Sequence, residues 1–181
     1  YAIGLTDKEV LDHAVKIMGK VGAKPEDRSV VLPARKAASE AETGGKGNAG
    51  IFSGAAIELA NGQIITGKNS PLMHSASSLI LNATKYMAGL PDSLLLLPKT
   101  LIDSVTYLKK DILNGKEVSL DVEETLILLG ISALFNPAAQ AALEQLTLLR
   151  GCEVHLTHIP TPGDEAGLRK IGVNLTSDPN F

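Results

Sequence analysis

The sequence predicts an α/β fold: three αβα layers around a mixed sheet of about five strands that opens with a β-hairpin, with a helical hairpin at the N-terminus. Three observations predict it. Short β-prone runs flank Asn61-Gly62, a dipeptide suited to a two-residue hairpin turn. Longer stretches with apolar residues at helical spacing alternate with short apolar bursts. Apolar residues are 44% of the chain and aromatics 3%, with no Trp, so the interior is built from Ala, Leu, Ile and Val, which favours close helix packing.

Taken in order, Thr6 followed three residues later by Glu9 predicts a capping box and a helix to about Gly19, with Val10, Leu11, Ala14, Val15 and Met18 at helical spacing. Pro25 opens a second helix through about Ala41. The glycines of Thr43-Gly44-Gly45-Lys46-Gly47-Asn48 then separate a helical extension, residues 1–49, from an α/β domain, residues 50–181. Ile51 to Leu59 and Gln63 to Thr66 form the hairpin. Met73 to Ala88 reads as a helix stopped by Gly89, and the burst Ser93 to Leu97 as a buried strand. Pro98 starts a helix that Asn114-Gly115 ends. Val118-Ser119-Leu120 has the makings of a short strand, but Asp121-Val122-Glu123-Glu124 reads better as the capped first turn of a helix to Phe135. Asn136-Pro137 opens another helix to about Leu149. The strand Cys152 to Ile159, a turn over residues 160–164, a short helix Glu165 to Ile171 and a last strand Val173 to Thr176 complete the chain.

At 181 residues one core is the expectation. The formal net charge of −3 lacks the basic bias that phosphate backbones attract, and Phe52, Phe135, Tyr86 and Tyr107 are too scattered for base stacking, so nucleic acid is not an expected partner. The lone Cys152 precludes an intramolecular disulfide and any multi-cysteine metal site. No run is long and apolar enough for a membrane helix, and the start lacks a signal-peptide layout, so a cytoplasmic location is the expectation. A chain that starts at Tyr1 and stops at Phe181 reads as a segment of something longer.

The order hairpin, helix, strand, helix, then strand, helix, strand over about Gly50 to Ser177 is similar to the cytidine deaminase-like core. The stretch from Gly54 to Asn69 resembles the hairpin that opens that fold. The resemblance implies a ligand pocket beside the loop at Asn69 and His74, but not zinc chemistry. Deaminases need a helix-start His or Cys ligand with a Glu proton shuttle, then two thiolates. Here the first place reads His74-Ser75-Ala76 and the second Pro98-Lys99-Thr100-Leu101-Ile102, so one imidazole remains where about three protein ligands are needed. No zinc or other cofactor is expected. The stretches Gly67 to Leu72, Arg150 to His155 and Pro160 to Arg169 resemble the C-terminal part of the bacterial family catalogued as domain of unknown function 1846. That resemblance implies a missing N-terminal domain of the same polypeptide, with a phosphate-binding glycine-rich loop; some members carry the label ATP-dependent peptidase. No such loop occurs here, because no strand feeds Gly44-Gly45-Lys46-Gly47.

Two clusters carry candidate chemistry. Lys68, Asn69, Ser70, His74 and Ser75 lie where a polar loop enters a helix start, whose free amides attract anions unless Ser70 or Ser75 caps them. His158, Thr161, Asp164 and Glu165 lie between a strand end and a helix start, where open sheets place ligands and where His158 with Asp164 or Glu165 would make an acid/base pair. The bland reading of this second cluster is a proline-shaped turn capped by Asp164. Lys99 opens the helix between the two clusters. Asp121, Glu123 and Glu124 answer a helix dipole rather than a cation. Two functions follow as expectations. The first is a non-catalytic or ligand-sensing deaminase-like domain that supports homo-oligomeric assembly or helps frame a shared active site, with a small anionic or nucleotide-like ligand. The second is a metal-independent hydrolase or nucleotide-handling enzyme using His74, His158, Asp164 and Lys99, which requires those side chains to converge in one pocket.

Overall fold

In the computed structural model, which describes residues 1–180, helices cover both faces of a four-stranded mixed sheet. Strand β1 (Gly54–Glu58) pairs antiparallel with β2 (Ile64–Lys68) and, on its other edge, antiparallel with β3 (Glu153–Leu156). Strand β4 (Asn174–Ser177) lies parallel to β3, giving the order β2-β1-β3-β4. Gly62 turns the hairpin at φ 79°, a left-handed conformation that glycine adopts without a steric penalty. Side-chain alternation then sorts the layers. Ala55, Ile57, Val154 and Leu156 face one side with helix α3 (Ser75–Met87), whereas Ala56 faces the other with helix α2 (Val31–Thr43).

Glycine sets how closely these layers approach. A Cβ at Gly54 would fall on the backbone of Ala34 and Ala38 in α2, and one at Gly67 on the backbone of Ser75 and Leu79 in α3. The first helix, α1 (Lys8–Val21), is capped by Asp7, which accepts from the Val10 N–H at 3.0 Å, rather than by the expected Thr6–Glu9 box. It buries none of its residues. Pro25 opens only a 3-10 turn, Pro25–Asp27, before α2 begins, and α2 buries Val31, Ala34, Ala37 and Ala41. The expected helical hairpin is therefore replaced by an exposed helix and a helix that forms a layer of the domain.

The expected fifth strand does not form. Residues 93–97 pair with no strand; Leu96 and Leu97 bury themselves in a second apolar cluster with Leu81, Ile102, Leu128 and Leu129 while Leu95 stays 74% exposed. A short apolar run between two prolines satisfies a helical core as readily as a sheet. That cluster is built by α3, α4 (Lys99–Tyr107), α5 (Val122–Ala133) and α6 (Pro137–Glu144). Helix α4 runs into a π-helical turn, Leu108–Ile112, ahead of Asn114 at φ 53°. Where the sequence predicts a capped first turn, Asp121 and Glu124 close a capping box, and Asn136 accepts from the amides of Ala138 and Ala139. A 3-10 turn, Gln145–Leu149, precedes β3. The last helix, α7 (Pro162–Ile171), packs the small residues Gly163 and Gly167 against Asp121 and Val122 at the start of α5.

Candidate functional site

One end of the sheet gathers the segment before β1, the loop after β2 and the segment after β3. A cavity of about 190 Å³ opens there, lined among others by Ser53, Asn69, His74, Glu117, His158 and Thr161. His74 owes its place to backbone pairing across a long sequence separation. Its N–H donates to the Leu120 carbonyl at 2.9 Å, and the Leu120 N–H donates to Leu72 at 2.9 Å. This short parallel bridge carries Glu117 and Ser119 to the cavity rim.

Asp164 lies in the first turn of α7 and is buried. Its Oδ1 accepts from the Val122 N–H at 3.0 Å; its Oδ2 accepts from the Thr161 hydroxyl at 2.9 Å and meets His74 Nδ1 at 2.7 Å. An ionised carboxylate is an acceptor only, so Nδ1 carries a proton and Nε2 is turned toward the cavity. Across from it, Glu117 Oε1 stands 4.0 Å from Nε2. Burial disfavours the charged imidazole, yet the hydrogen bond and charge of Asp164, joined by the charges of Glu117 and Asp121, outweigh it and hold the His74 pKa above the ordinary histidine value. Burial also pushes the Glu117 carboxyl up, but the hydroxyl and backbone amide of Ser119, then the charges of His74 and Lys109, bring it below its ordinary value. Asp121 is shifted upward, first by burial and then by the charges of Glu124 and Asp164.

The start of α3 opens into the same cavity through Ser75 and Ala76. His74 is the N-cap residue and no side chain caps the helix. Ser75 instead accepts from the Ser53 hydroxyl at 3.1 Å, and the Ser70 hydroxyl accepts from the amides of Leu72 and Met73 within its own loop. The first-turn amides of a 13-residue helix thus face a cavity that also holds an imidazole.

Among the residues singled out from the sequence, His74, His158, Asp164, Asn69, Ser70, Ser75 and Thr161 line this cavity together. Asn69 is engaged with the backbone: its carbonyl accepts from the Ser53 N–H at 2.9 Å and its amide donates to Ile51 at 2.9 Å. Lys68 and Lys99 do not reach it. They line a neighbouring cavity, where Lys68 pairs with Glu40 at 2.6 Å and Lys99 with Asp103 at 2.6 Å. Glu165 pairs with Arg169 at 2.7 Å along α7, outside both. Of the four side chains proposed to act jointly, Lys99 is thus separated from the other three. Glu117, Ser119 and Ser53 escaped the sequence reading because each lies in an irregular segment positioned by tertiary contacts, although Ser119 sits beside the run Val118 to Leu120 already marked as strand-like. Among the described residues no group of three or more His, Cys, Asp or Glu side chains is placed to hold a metal ion.

Residues 26–181 match the family model described as domain of unknown function DUF1846, C-terminal. Over its whole length the chain is also similar to curated bacterial relatives, each named only as a UPF0371 protein. Those from Clostridium botulinum (strain Eklund 17B / Type B), Clostridioides difficile (strain 630) and Clostridium tetani (strain Massachusetts / E88) are 42%, 39% and 38% identical to it. In each case 100% of this chain aligns with 36% of the relative, so the chain spans about a third of the length of these proteins.

Proposed function

The chain belongs to the family of the C-terminal DUF1846 domain, and on that premise we propose that it supplies a longer bacterial protein with an acid/base site for a small anionic ligand. The observation that carries the reading is the 2.7 Å contact between Asp164 and His74 at the uncapped start of α3. Asp164 orients the imidazole and favours its charged form, so His74 can hold an anion and hand over or take up a proton at Nε2. The free amides of α3 supply further donors. Glu117 occupies the position opposite Nε2 from which an incoming anion displaces it, and its side chain is 58% exposed and so able to move aside. A cavity of about 190 Å³ suits a phosphate-sized or small-acid group rather than a whole nucleotide. The deaminase-like layout read from the sequence puts a pocket beside the same loop, which supports the same placement. The chain is about a third of its relatives' length, so the hydrolase reading belongs to a proposal about the whole protein rather than about these residues alone.

Thermal denaturation of the full-length protein with inorganic phosphate and with nucleotides tests this. Phosphate is expected to raise Tm with a saturating dependence on concentration, and His74→Gln to abolish that rise. No rise with any of these ligands, or an equal rise in His74→Gln, would overturn the proposal.

A further inference from the structure

The larger cavity, about 550 Å³, lies on the far side of the loop at Asn69 and Ser70, which line both spaces. It falls in the ordinary range for small-molecule sites. Its wall is apolar where Leu72, Met73, Leu81, Leu97 and Ile102 meet. Leu94 and Leu95 continue that wall while remaining 37% and 74% exposed. Four lysines, Lys46, Lys68, Lys85 and Lys99, line the same space.

These lysines are not equivalent. Lys68 and Lys99 are neutralised by Glu40 and Asp103. Lys85 is only 9% exposed, and its ammonium donates to one backbone carbonyl, that of Asp92, at 2.8 Å. Among the described residues no carboxylate stands within ion-pair distance of Lys85 or of Lys46. A buried ammonium needs a counter-charge and partners for its three donors, and one carbonyl supplies neither fully. Lys85 lies in the last turn of α3, where the helix dipole favours a positive charge but supplies no partner for the remaining donors of the ammonium.

We propose that this second cavity binds an amphipathic anion, a small molecule with an aliphatic or aromatic body and a carboxylate or phosphate head. The body covers the leucine wall and the head meets Lys85, with Lys46 at the rim. The site is independent of the His74 centre and stands if that reading fails.

Isothermal titration of the full-length protein with octanoate, octyl phosphate and octanol separates the contributions of head and chain, and the two anionic arms distinguish carboxylate from phosphate. At least one anion is expected to bind about tenfold or more tighter than octanol, since one compensated charge in a partly dry site is worth that much. Lys85→Met, which keeps the length of the side chain without its charge, brings anion and alcohol to within about twofold of each other. Leu95→Glu, at an exposed position that leaves folding intact, weakens the anions more than octanol. His74→Gln leaves the preference unchanged. Equal binding of octanol and both anions by the native protein, an anion preference that survives both Lys85→Met and Leu95→Glu, loss of the preference in His74→Gln, or no binding at about millimolar ligand would each overturn the proposal.

Discussion

His74 and Asp164 are far apart in the chain, and each was legible as a candidate for a different reason: His74 by its place at a helix start, Asp164 by the turn Pro160 to Asp164. Their pairing was not legible, because His158 is nearer to Asp164 in sequence and was the expected partner. The contact follows from the fold: α7 approaches the start of α5 through Gly163 and Gly167, and the bridge between Met73 and Leu120 holds His74 beside that junction. A pH dependence follows from the pair. The folded-state pKa of His74 is raised, so its stabilising contribution is complete below the unfolded value of about 6.5 and is lost as pH rises through the higher folded value. The difference in urea midpoint between the native protein and His74→Gln is therefore expected to be largest near pH 6 and to shrink by about pH 9. A difference that is constant or grows over that range would show that the imidazole is not held charged by Asp164.

At the scale of elements, the caps of α5 and α6 were readable, whereas Asp7 rather than Thr6 caps α1 and Thr161 rather than Asp164 caps α7. The Asp121–Glu124 box and the Asn136-Pro137 start appear where the residues put them, since both depend on contacts within four residues. The burst at residues 93–97 was misread as a strand because burial by helices and burial in a sheet select the same apolar residues. The role of Gly67 was likewise hidden, as nothing local marks the approach of α3. Gly67→Ala is expected to destabilise the protein by about 3 kcal/mol in chemical denaturation, the upper end of the usual overpacking cost, because its Cβ meets rigid backbone on the neighbouring helix. Asn136→Ala removes a cap and is expected to cost about 1 kcal/mol by the same measurement. If the Gly67 variant is as stable as the Asn136 variant, the close packing of α3 on β2 is wrong.

For the whole molecule, α5 carries more apolar surface than its one buried face requires. Ile127, Leu134 and Phe135 are 64%, 81% and 64% exposed on or just beyond α5, with Ile131 between them at 39%. Helix α1 likewise presents Val10, Val15 and Ile17 to solvent. Apolar strips of this kind mark contact surfaces, and the greater part of the relatives' length lies outside this chain. If the rest of the same polypeptide covers the strip, Leu134→Glu in the full-length protein is expected to lower Tm without changing the sedimentation coefficient. A changed sedimentation coefficient would assign the strip to a second copy instead.

The Asp164 carboxylate is shared three ways, by the first amide of α5, the hydroxyl that caps α7 and the ring of His74. It works like a pin through three leaves of a hinge. A molecule that met the ring, as proposed above, would therefore bear on the joint from which both helices depart, and a small hollow would be coupled to two rods at once.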